Sequence, residues 1–189
     1  YPDQRLQDQV DAVGKKLVDN TIAQETPYTY EFHLLSDPNT VNAFALPGGQ
    51  IFITYALYKR LNSEDQLAGI LGHEIGHVVG RHSAERIAQS ELANTVATGA
   101  QVGADAGMLA SQLGQTILLK NGRGDELESD DLGVKFMLEA GYDPEALIEV
   151  MQILKEASGG QRVPEFQSSH PDPDNRIEKI RAAIDKYRA

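Results

Sequence analysis

Between Ser63 and Gln89 the chain carries an apolar helical pattern that is interrupted by ionisable side chains. Ser63-Glu-Asp-Gln66 has the Ser-x-x-Gln form of a helix start. Beyond it Ile70, Leu71, Ile75 and Val78 mark a helix to about Gln89, and His73, Glu74 and His77 fall between these apolar residues. Gly72 and Gly76 are poor helix formers, so their presence predicts a close approach by another segment or by a ligand. A fold built on this helix has to bring further polar groups to it.

Two imidazoles four residues apart lie one turn above each other, so His73 and His77 can reach one ion. Zn2+ takes neutral imidazole nitrogens at about 2.0–2.1 Å and prefers four-coordinate tetrahedral geometry. Glu74 points about 100° round the helix, outside that first shell. There it can stand beside a water held by the ion and take its proton, the division of labour in H-E-x-x-H metallopeptidases. The pattern arises by chance in roughly one of several hundred chains of this length. Two histidines require a third protein ligand, with the fourth position left to water. Glu126 and Asp130 form another i, i+4 pair near the start of a predicted helix. Either one of them binds metal while the other orients a ligand imidazole, or the run is a solvated acidic face.

Elsewhere the pattern is mostly helical. Leu6, Val10, Val13 and Leu17 give an amphipathic helix within 3–20, and 28–35 reads as a strand closed by a turn. Residues 42–54 read as a hairpin around Pro47-Gly48-Gly49. Residues 92–119, rich in Ala and Gly, predict an irregular helix with a mobile loop. A helix from about Asp125 to Ala140 ends at Gly141, and Asp143-Pro144 opens another to about Ala157. After a loop from Ser158, a last helix starts near Asp172-Pro173 with Ile177, Ile180 and Ile184. The expected architecture is a single α+β domain over 1–189, mostly helical with one small sheet.

Composition narrows the partners. Charged residues at 24% and hydrophobic ones at 41% suit a globular chain. A net charge of −11 argues against nucleic acid and anionic membranes. No apolar run reaches 18 residues, so no transmembrane segment is expected. The absence of cysteine removes thiol nucleophiles and iron–sulfur or zinc-ribbon sites. A first residue of Tyr1 rather than Met is read as a processed product whose targeting signal is missing.

The sequence resembles the HtpX, CAAX-prenyl-protease and BepA-like zinc metallopeptidases. Four ordered elements carry the resemblance from about residue 28 to 185. These are His73–His77; Glu126-Leu-Glu-Ser-Asp130, close to a family Glu-x-x-Ala-Asp signature; Asn42–Gly49; and His170-Pro171 followed by Arg176-Ile177. Ser129 stands where that signature has Ala. The resemblance implies a zincin-like fold with the small sheet beside the H-E-x-x-H helix, and one Zn2+ per chain held by His73, His77 and Glu126. It also implies Asp130 behind a ligand and Glu128 facing elsewhere. For His170 it implies a place near the metal, as oxyanion stabiliser or as a fourth ligand of a resting form. Unlike BepA, these residues contain no TPR array.

Several side chains keep two readings. His170 is otherwise a loop histidine capping the last helix, and Arg176 either donates to substrate or forms a plain ion pair. Asn42, Ala43, Phe44 and Ala45 form either an edge strand that substrate extends or a plain hairpin arm. His82 and His33 read as packing or hydrogen-bonding residues, since neither shares the ligand face. The expected function is a zinc-dependent endopeptidase with Glu74 as general base, acting on protein or peptide substrate. The resemblance adds a periplasmic or envelope-associated location, envelope protein partners and a role in protein quality control. The alternative is a chaperone-like or scaffold module of the cell envelope with a structural or self-inhibited zinc site.

Overall fold

The computed structural model describes residues 1–98, 121–157, 169–170 and 175–189. The predicted irregular helix over 92–119 lies outside the described residues from 99 onward, as do the loop 158–168 and Pro171.

Helix α1 (Gln4–Asp19) is capped by Asp3, which accepts from Arg5 N, and buries the predicted stripe at Val10, Val13 and Leu17. A 3-10 turn, Ile22–Glu25, leads to the sheet. Strand β1 (Glu31–Leu35) pairs in parallel with β3 (Gln50–Thr54), and β2 (Ala43–Ala45) pairs antiparallel with β3. The order β1-β3-β2 leaves β2 on an edge. The predicted hairpin is present, turned by Gly48 and Gly49 at φ 92° and 104°. The first strand starts at Glu31 rather than Tyr28 because the backbone at Thr29 instead packs on the turn. A side chain at Gly49 would meet Thr29 O at 2.7 Å.

After the short α2 (Tyr55–Tyr58), helix α3 (Glu64–Val79) opens with Ser63 Oγ accepting from Gln66 N, as the sequence predicts. Gln66 Oε1 reaches back to Asn62 N. The helix stops ten residues short of the expected end. Gly80 caps it and Arg81 turns at φ 60°, a left-handed conformation that cannot continue a right-handed helix. Helix α4 (His82–Thr98) then starts in a new direction.

Helices α5 (Arg123–Glu139), α6 (Glu145–Ala157) and α7 (Arg176–Arg188) complete the described elements. The last is described from Arg176, after Asn175 at φ 74°; its expected start near Asp172-Pro173 lies outside the described residues. Helix α3 is buried on every side from Gln66 to Val78, between the sheet, α1, α5 and α6. Its tightest neighbour is α5. A Cβ on Gly76 would lie 3.0 Å from Ser129 O, and one on Gly133 would lie 3.2 Å from His73 N. The glycines thus remove the side-chain layer between the two helices. The architecture is the expected α+β arrangement, with a three-stranded sheet beside the histidine-bearing helix.

Candidate metal centre

One turn of α3 places His73 Nε2 and His77 Nε2 3.0 Å apart. The close approach of α5 brings in Glu126, with Oε2 3.3 Å from His73 Nε2 and Oε1 3.2 Å from His77 Nε2. His170 Nδ1 lies 3.0 Å from Glu126 Oε1 and 3.4 Å from His73 Nε2. One donor atom from each residue falls within 4.8 Å of all the others, and all four residues are buried. Two donors held at 2.0–2.1 Å on tetrahedral bonds to one ion sit about 3.3–3.4 Å apart. The observed spacings fit such a set. Glu126 Oε2 accepts no hydrogen bond, so lone pairs converge on a buried point that a divalent cation suits.

The rings of the cluster are held from behind. His73 Nδ1 lies 2.9 Å from Asp130 Oδ1, and Arg176 grips the same carboxylate through Nε at 2.5 Å and Nη2 at 2.9 Å. Arg176 is buried and also approaches Glu126 Oε2 at 3.3 Å. Of its two sequence readings, the geometry displays the ion pair. His82 does not join the four donors, yet its Nδ1 lies 2.9 Å from His77 Nδ1. His33 is remote from the cluster, bonded to Gln50 and stacked on Phe52.

Sequence reasoning did not single out Asn121. Its side-chain amide lies 3.3 Å from His77 Nε2 and 3.1 Å from His170 Nδ1. Its backbone N–H donates to Ser169 O at 2.9 Å, tying the start of α5 to the segment that carries His170. No spacing signal marks this residue, because its neighbours come from positions 77, 169 and 170.

Charge is distributed unevenly over the cluster. Burial opposes a proton on both histidines. At His73 the neighbouring carboxylates of Asp130 and Glu126 outweigh it and raise the pKa to about 9, whereas His77 is pushed well below the ordinary value. Burial also works against the charge on Glu126 and Asp130. The field of His170 nevertheless draws Glu126 well down, and Arg176 lowers Asp130. Glu74 is buried with both carboxylate oxygens lacking a hydrogen-bond partner, and burial pushes its pKa up. His170 Nε2 is 3.5 Å from Glu74 Oε1.

Strand β2 borders the site. Asn42 O and Leu46 N bond to β3, so by alternation the intervening backbone groups of Ala43 and Ala45 face the outer edge. There Ala43 O accepts from His170 Nε2 at 3.1 Å, and Ala45 O accepts from Ser83 Oγ at 3.3 Å. A carbonyl can only accept, so His170 Nε2 carries the proton of this bond, and Nδ1 is the nitrogen that faces the cluster. Asn42 itself bonds inward to Thr54 and precedes the strand.

Residues 4–184 match Peptidase family M48. Mitochondrial metalloendopeptidase OMA1 of Schizosaccharomyces pombe is 36% identical over 157 residues, covering 80% of this chain and 45% of its own length. The beta-barrel assembly-enhancing protease of Yersinia pestis is 30% identical over 192 residues, 95% of this chain and 39% of its own. Its Escherichia coli (strain K12) counterpart is 29% identical over 199 residues, 98% of this chain and 40% of its own. The chain thus spans less than half the length of these relatives. With a family match over nearly all its residues, the chain belongs to Peptidase family M48.

Proposed function

We propose that residues 1–189 act as a single zinc-dependent endopeptidase domain whose site rests in a closed form. His73, His77 and Glu126 hold one ion per chain, and Asp130, gripped by Arg176, orients His73. Bound zinc supplies polarisation of the scissile carbonyl and a water acidified to a pKa of about 7. Glu74 takes the proton of the attacking water and returns it to the leaving amine, and its raised pKa brings it closer to working pH. An extended substrate lies along the outer edge of β2 at Ala43, Phe44 and Ala45, pairing with the outward backbone groups. Arg176 acts through Asp130 and Glu126 rather than on substrate, being buried behind them.

The observation that carries this reading is the convergence of His73, His77 and Glu126 beside a buried Glu74 carboxylate without hydrogen-bond partners. His170 takes the fourth position in the resting protein, supported by its Nε2–H bond to Ala43 O. The beta-barrel assembly-enhancing proteases match 95% and 98% of this chain, which supports work on envelope proteins in the periplasm or at the envelope. No described helix is long and apolar enough to cross a membrane.

Four protein donors also suit a metal held inertly, so a scaffold module of the envelope is the second reading. Casein cleavage by wild type and His170→Ala, with zinc content measured in both, separates the two. Faster cleavage by His170→Ala, lost again when Glu74→Gln is added at unchanged zinc content, is expected. Silence of zinc-loaded His170→Ala would leave the scaffold, and cleavage surviving Glu74→Gln would take the base role from Glu74.

A further inference from the structure

We propose that His82 and Glu128 form a second positioning arm of the metal centre, fixing the tautomer and the aim of His77. This inference rests on the zinc reading above. His77 turns Nε2 toward the cluster and Nδ1 away from it, where His82 Nδ1 waits at 2.9 Å. The two rings meet edge to face with centroids 5.0 Å apart. His82 is buried, and its Nε2 points to Glu128 Oε2 at 3.4 Å.

Only one placement of protons serves this chain. A ring that gives its Nε2 lone pair to a cation carries its proton on Nδ1. His77 Nδ1–H then donates to His82 Nδ1, which leaves the His82 proton on Nε2, directed at the Glu128 carboxylate. Ser129 Oγ, 3.3 Å from His82 Nδ1, can donate to the same lone pair. Each of the two α3 histidines is therefore backed by a carboxylate of α5: His73 directly by Asp130, His77 through His82 by Glu128.

The corner between α3 and α4 is shaped for this contact. Arg81 adopts φ 60° and turns the chain so that His82 folds back over Gly80. A Cβ on Gly80 would lie 2.5 Å from His82 Nε2, so the ring occupies the space that only glycine leaves. Glu128 is 59% exposed at its side chain, so its replacement removes the end of the arm without opening the core.

Zinc affinity, measured by competition with a chromogenic chelator, tests the arm without relying on turnover. His82→Leu is expected to bind zinc about 10–100-fold more weakly than wild type. His82→Asn restores an acceptor near the Nδ1 position and should regain most of that loss. Glu128→Gln should weaken zinc binding in the wild-type background and have no effect in His82→Asn, where the arm no longer reaches it. Such coupling is not expected of a purely structural histidine. Equal zinc affinity for folded His82→Leu and wild type would overturn the proposal. If His82→Leu does not fold, an equal effect of Glu128→Gln in both backgrounds, or none in either, overturns it instead. A wild-type chain that takes up no zinc would remove the underlying zinc reading as well.

Discussion

Asp130 serves two partners with one carboxylate, and this makes it the residue whose loss is felt beyond its own bonds. Burial favours its neutral form, but Arg176 and His73 outweigh burial and keep its pKa below the ordinary value of about 3.9. The stabilisation from this charge is complete above that ordinary value and is lost as pH falls through the lowered one. Urea titrations of metal-free protein between about pH 5 and pH 2 should therefore show a steep acid loss of stability in wild type that is flatter in Asp130→Asn. An unchanged slope would mean that Asp130 does not carry the linkage. At Glu126, Ala substitution removes a proposed ligand, and zinc content measured after dialysis should fall from about one per chain toward zero. Retention of the ion would assign the third ligand elsewhere. His73, Glu74 and His77 were legible because a helix converts spacing into direction. The roles within the pair Glu126 and Asp130 were not, since spacing places both on one face without saying which meets the ion. His82 and Asn121 were illegible as parts of the centre because tertiary contacts alone bring them to His77.

Helix α3 reads at the element scale as a rod whose glycines face α5. Gly72 and Gly76 predicted a close approach, and it is found: Gly76 faces the Ser129 backbone, and Gly133 faces Gly72 and His73. Gly76→Ala would set a methyl group 3.0 Å from Ser129 O and push α5 outward. The expected loss is about 1–3 kcal/mol of stability, with weaker zinc binding because Glu126 moves with its helix. Thermal unfolding and chelator competition check the two parts, and unchanged zinc affinity would show that the ligand reach tolerates the shift. The helix end was the weakest sequence reading. Apolar periodicity runs past Val79, and the turn at Arg81 comes from a backbone conformation that periodicity does not encode. The hairpin was legible because Gly48 and Gly49 supply positive φ, but nothing local announced that β1 joins β3 in parallel.

Across the molecule, the donors at 73, 77, 126 and 170 come from three separate stretches of chain, so an ion tied to them links regions that are distant in sequence. An ion binding the folded chain at 100 times its dissociation constant adds about 2.7 kcal/mol. For a chain of this size that is worth roughly 5–10 °C in Tm. Removing zinc with EDTA should lower Tm by about that much in wild type, and by much less in Glu126→Ala. An equal shift in both would place the stabilising metal elsewhere. The His170 ring joins two far-apart functions at its opposite nitrogens, one facing the cluster and the other bonded to Ala43 O. A rigid ring cannot let go at one end alone. In the proposed resting form, swinging that ring away would open a position at the ion and bare a rung on the sheet together, so exposure of the reactive centre would be synchronised with readiness of the dock beside it.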